Sequence, residues 1–199
     1  MATADAHPRR RADAQRSIAA IVAAARAQLS ADPDASIEDI ARAAGVGRQT
    51  LYGHFRTRGA LVDAALTEAL TEGEKALAAL DLDGDADQAL SVLLASSWAL
   101  VAESAALLTA AQATLGVERV RDLHAAPAER LTALLERGRT QGVVRTDLPL
   151  EWLVNLVHYV LHGAATELRT GRLNPEQVPG VVTATLRSAL RPEPATPGP

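Results

Sequence analysis

The sequence predicts an all-helical protein, and three observations carry that prediction. Apolar residues make up 48% of the 199, yet Ala and Leu supply much of that share and aromatics only 3%. Ala and Leu lose least on entering a helix, whereas β-branched and aromatic side chains favour strands. Apolar positions recur at three- and four-residue steps, and no period-2 alternation lasts long enough to read as a strand.

Taken in order, residues 1–10 read as a disordered basic arm running into Arg9, Arg10 and Arg11. A first helix is expected over 12–29, with Ile18, Ile21, Val22, Ala25 and Leu29 on one stripe. Asp32-Pro33-Asp34 breaks it. Ser36 then caps a short second helix over 37–43, with Asp39 three residues on as a loose capping box. Ala44-Gly45-Val46 forms the turn, Gly45 being suited to positive φ. A third helix over 48–54 follows, and Thr57 caps a fourth that runs to about residue 80. Beyond the loop 81–85, helices are expected at about 87–102, 104–115, 127–140, 150–169 and 175–190, making about nine in all. The Pro-rich stretch 191–199 reads as a disordered tail.

Composition narrows the function classes. The chain has no cysteine, which excludes disulfides, thiolate metal sites and cysteine nucleophiles. Its N-terminus lacks the apolar region of a signal peptide. No uncharged apolar run reaches the roughly 18–20 residues of a membrane span. A cytoplasmic location and no membrane partner are therefore expected. The net charge of −4 is unevenly spread. Residues 1–60 carry nine Arg against six acids, and residues 61–199 carry eleven basic against eighteen acidic groups. A basic end on an acidic body suits a nucleic-acid-binding head whose body stays off the polyanion.

The informative stretch is 36–61, SIEDIARAAGVGRQTLYGHFRTRGAL. A helix-turn-helix needs a short supporting helix, a tight turn and a second helix able to enter the major groove. Ile37, Ile40, Ala41, Val46, Leu51 and Phe55 fall where such helices pack. Arg48, Gln49, Thr50, Tyr52 and His54 are left on the outer face of the second helix, as residue types that reach phosphates and base edges.

At these residues the sequence resembles the TetR (tetracycline repressor) family of bacterial regulators. Ser36, Ile40-Ala41, Ala44-Gly45-Val46, Thr50-Leu51-Tyr52, His54-Phe55, Thr57 and Ala60-Leu61 match the family pattern. Gly142–Pro149 (GVVRTDLP) is similar to a stretch before the family's eighth helix. The resemblance implies a DNA-binding head over 11–70 and a body over 71–190 for effector binding and dimerisation. Its DNA-contacting set adds Arg16, Ser36, Gly47, Thr57 and Arg58. Gly47 stands where the family usually has Ser or Thr, so that position offers no hydroxyl to a phosphate. Arg58 replaces the usual Lys, and Gly53 weakens a short helix by roughly 1 kcal/mol relative to Ala.

By the same resemblance, the last two helices should form a homodimer interface, with Leu156, Val160, His162, Val182 and Leu186 as candidates. The stretch 150–168 is apolar almost all round, as fits a helix without a solvated face. An effector pocket for a small apolar or amphipathic molecule is expected near Trp98, Leu108, Gln112, His124, Trp152 and Tyr159. His158 and His162 stand at i and i+4, but Tyr159 replaces the Glu of zinc metalloproteases, and a third ligand would have to be His124 or come from elsewhere. No metal, cofactor or catalytic residue is expected. The implied function is a homodimeric repressor released from a palindromic operator by a small molecule. A helical DNA-binding protein without an effector, or a helical enzyme, are the alternatives.

Overall fold

The computed structural model describes residues 6–192. Among them are nine helices and no strand: α1 (Ala6–Ala31), α2 (Ile37–Ala43), α3 (Arg48–His54), α4 (Arg58–Ala78), α5 (Ala86–Thr114), α6 (Val117–Leu123), α7 (Ala125–Thr140), α8 (Leu150–Arg169) and α9 (Val178–Leu190). The expected all-helical class is observed. Helix α1 opens six residues earlier than its periodicity suggested, so residues 6–10 are helical rather than an arm. The first five residues of that arm, and 193–199 of the tail, lie outside the described residues.

The chain forms two compact units. One comprises residues 1–72 with 106–123, the other 73–105 with 124–199. Residues 106–123 thus join the first unit, although the sequence placed them in the second domain. Their apolar side chains account for this: Leu107, Leu108, Ala110 and Ala111 are buried in the first unit's core with Ile21, Leu29, Ile40, Leu51, Leu61 and Leu66. Full burial of each Leu or Ile stabilises by about 1.5–3 kcal/mol. Arg119 of α6 also pairs in two-pronged fashion with Asp63 of α4, at 2.6 and 3.0 Å.

The 29-residue α5 corrects a second expectation, because it runs through Ser104 without a break. Serine favours a cap where the backbone is already interrupted, and neither Gly nor Pro interrupts it here. Its length and mean hydropathy of 1.6 would suffice to cross a membrane. Its buried residues are nevertheless shared between the two protein cores, with Leu90, Leu94 and Trp98 in one and Leu107 and Ala111 in the other. Helices α4 and α5 both have residues in each unit.

In the second unit, α7, α8 and α9 bury Leu131, Leu135, Leu153, Val157, Leu161, Val182 and Leu186 against the first part of α5. Pro127 sits in the first turn of α7, where its missing N–H costs nothing. Gly138 lets the turn after α7 fold back tightly. Its carbonyl accepts from the amides of Val143 and Val144 at 2.9 and 3.1 Å, and a Cβ there would stand 2.5 Å from Val144 Cγ2. The turn is tied to the end of α9, since the Arg145 amide donates to the Leu190 carbonyl at 2.8 Å. The Arg145 guanidinium pairs with Asp147 at 2.8 and 2.6 Å and holds that carboxyl below its ordinary range.

Candidate nucleic-acid interface

The supporting helix α2 is fixed at both ends by local chemistry. The Ser36 hydroxyl accepts the Asp39 amide at 3.1 Å and donates to the Asp39 carboxylate at 2.5 Å. Together with Arg42, it lowers the Asp39 pKa. At the far end, Gly45 adopts φ +67°, its amide donates to Arg42 and the Val46 amide to Ala41. This pair of backbone bonds is the Schellman closure of a helix, and it needs a left-handed residue at that position. Helix α3 then begins at Arg48 from Gly47, which supplies no side-chain cap. Leu51 is its buried anchor.

What remains outward is the face the sequence anticipated. Arg48, Gln49 and Thr50 are exposed and Tyr52 is 37% exposed. His54 is half-buried. Arg48 is not idle: it pairs with Glu38 of α2 and lies over the Tyr52 ring, 5.4 Å from its centroid. Both members of the ion pair are largely exposed, so the pair is weak and exchangeable for a phosphate or a base edge. Arg16, on α1, is exposed and paired with Asp13 one turn before it.

Two candidate DNA contacts also make bonds within the fold. Arg58 donates to the carbonyls of Ala35 and Pro33 at 2.6 and 2.9 Å, clamping the start of α4 to the loop that precedes α2. Ser36 has already donated its only hydroxyl proton to Asp39. Thr57 accepts the Ala60 amide at 3.1 Å as the cap of α4, which leaves its own proton free to be donated. Gly47 offers only backbone.

The six candidate effector residues are divided between the two units. Leu108 is buried in the first unit's core, and Gln112 is exposed on the same unit. Trp98 is buried in the second unit's core. Trp152 and Tyr159 are 50% and 64% exposed on α8. His124 instead meets His158 and His162, with ring centroids 6.3 and 5.8 Å away. An open groove of about 540 Å³ on the first unit is lined by Ile18, Val22, Asp63, Thr67, Glu68 and Arg119 among others, and none of the six lines it.

The dimer candidates also separate. Val182 and Leu186 are fully buried within their own subunit and cannot face a partner. His162 turns inward to His124. Leu156 and Val160 are half-exposed and lie near the exposed Trp152, Tyr159 and Gly163 along the outer side of α8. On α9 the outward residues are Pro179, Gly180, Val181, Ala184, Thr185 and Ser188.

Comparison with known proteins bears on this arrangement. The family model of bacterial regulatory proteins, tetR family, matches residues 21–65, spanning most of α1, all of α2 and α3 and the start of α4. No curated protein matches the chain. Among solved structures, a TetR-family transcriptional regulator from Agrobacterium tumefaciens superposes with a TM-score of 0.72 at 22% identity, covering 89% of this chain and 99% of its own. The TetR-like regulator LfrR from Mycobacterium smegmatis, in complex with proflavine, gives 0.69 at 22%, covering 88% and 97%. The regulator FadR from Bacillus subtilis, in complex with stearoyl-CoA, gives 0.69 at 16%, covering 86% and 98%. Residues 21–65 thus match the tetR-family model, with α2 and α3 as the helix-turn-helix, and most of the chain shares the helical fold of TetR-family structures.

Proposed function

We propose that the protein is a homodimeric transcriptional repressor that reads a palindromic operator with α3 and leaves it when a small amphipathic molecule binds the second unit. The observation that carries this reading is the outward face of α3, where Arg48, Gln49, Thr50 and Tyr52 stand exposed on a helix anchored by Leu51. Arg and Gln side chains make the bidentate contacts that distinguish guanine and adenine in the major groove. A dimer is supported by the outer side of α8 and α9. Five residues of this chain are Trp, Tyr or Phe, and Trp152 and Tyr159 stand solvent-exposed together on α8, with Val181 exposed on α9. Aromatics left outside a core in an exposed apolar patch are typical of an interface. Two-fold symmetry would then give a palindromic site with half-sites about 34–36 Å apart or a multiple of that. The ligands held by the M. smegmatis and B. subtilis proteins, proflavine and stearoyl-CoA, support an apolar or amphipathic effector.

The test is selection of duplexes from a random-sequence library by the full-length protein, followed by anisotropy titration of the enriched site. Enrichment of an inverted repeat bound by two chains supports the proposal. Failure to enrich any sequence over random DNA at physiological salt would overturn it.

A further inference from the structure

Three of the chain's five histidines meet in the second unit. His158 and His162 lie one turn apart on one side of α8, and His124 is the residue immediately before α7. Their ring centroids are 6.3 Å (His124–His158), 5.8 Å (His124–His162) and 6.5 Å (His158–His162) apart. All three are half-buried, so the cluster is reached from solvent. The His162 Nδ1 is buried and has no hydrogen-bond partner, which is uncommon because buried polar atoms are nearly always paired.

The geometry points to a binding site for one divalent transition-metal ion of the zinc class, held by His124, His158 and His162. The donor set decides the class. Imidazole suits zinc, nickel and copper, whereas magnesium and calcium need carboxylates and other oxygens. A three-histidine set also leaves a fourth position for water or a small ligand. As the rings stand, no group of three His, Cys, Asp or Glu among the described residues could hold an ion, so binding requires these rings to move. Nitrogens around one tetrahedral zinc, each about 2.0–2.1 Å from it, stand roughly 3.3 Å apart. The rings would reach that spacing by turning about their side-chain torsions and drawing slightly together, so the ion would tie the start of α7 to the middle of α8. The sequence supplied the His158–His162 pair and offered His124, 34 residues before His158, as one possible third ligand.

This inference does not rest on DNA binding. The test is titration of the full-length, tag-free and chelator-treated protein with Co²⁺ followed by its visible absorption, and with Zn²⁺ by calorimetry. One equivalent per chain with a nitrogen-ligand cobalt spectrum is expected, retained in His7→Ala. His124→Ala, His158→Ala and His162→Ala should each weaken binding by more than the about 10- to 100-fold that loss of an outer-shell partner causes. Circular dichroism identifies folded variants, and His124→Ala keeps the test open if either α8 variant fails to fold. Absence of saturable binding at micromolar metal overturns the site, as does binding that survives the cluster substitutions but is lost in His7→Ala. Edge-to-face packing of the rings alone corresponds to that first outcome.

Discussion

Arg58 and Ala35 are joined by a 2.6 Å hydrogen bond from guanidinium to backbone carbonyl, with Pro33 held by the other prong. The bond links residues 23 apart and makes a cation at the edge of the DNA-binding head a part of its frame. Hydrogen bonds involving a charged group contribute about 1.5–3 kcal/mol each, and the half-exposed setting favours the lower end. Arg58→Ala should therefore lower stability by about 2 kcal/mol, and Arg58→Lys should recover little because the fork is absent. Thermal melting checks this. An unchanged melting temperature with a reduced salt dependence of DNA binding would make Arg58 a phosphate contact instead.

Gly138 and Val144 give a prediction in which two effects oppose. Replacing a mid-helix Gly by Ala gains up to about 1 kcal/mol of helix propensity. Here the new Cβ would stand 2.5 Å from Val144 Cγ2 in a buried turn, and overpacking costs about 1–3 kcal/mol. Gly138→Ala should be destabilising, and combining it with Val144→Ala should cost less than the sum of the two single changes. Additive losses in denaturant unfolding would show that the close approach is not the cause.

Gly53 presents the opposite case. It lies in α3, its φ is not positive, and a Cβ there meets nothing within 4 Å. Gly53→Ala should raise stability by up to about 1 kcal/mol. A lower melting temperature would mean that this helix needs its glycine for a reason other than space or backbone angle.

The proposed dimer face is tested at Tyr159, which is 64% exposed in the single subunit. Tyr159→Arg leaves the subunit's own core untouched, so the variant should stay folded and helical while losing the dimer. Light scattering at micromolar concentration reads the mass. A variant that keeps the wild-type mass would remove this side of α8 from the interface.

These cases mark what the sequence made legible. The helix-turn-helix was readable because its determinants are local: a serine cap answered by Asp39, a glycine that alone accepts +67°, and Leu51 surrounded by polar neighbours. The bonds of Arg58 to Ala35 and Pro33 were not legible because these partners are backbone carbonyls, which no side-chain pattern advertises. Val182 and Leu186 were placed in the interface because an apolar helix does not reveal which side its own subunit covers. The continuity of α5 through Ser104 was missed because a capping residue is informative only where the backbone ends.

The central claim is that the outer face of α3 reads DNA, and Arg48 is the residue on which to test it. Its pairing with Glu38 holds it across the turn, so Glu38→Gln should free it and raise affinity for operator and random duplexes alike. The decisive measurement is the affinity of wild type, Arg48→Ala and Gln49→Ala for the selected operator and for a random duplex, across a salt series. Removing a side chain that reads a base should cost about 1–3 kcal/mol of discrimination between the two duplexes. Removing one that holds a phosphate should instead weaken both alike and reduce the slope of log affinity against log salt by about 1. Unchanged affinity, discrimination and salt slope in both variants would contradict the account and place the DNA elsewhere on the molecule.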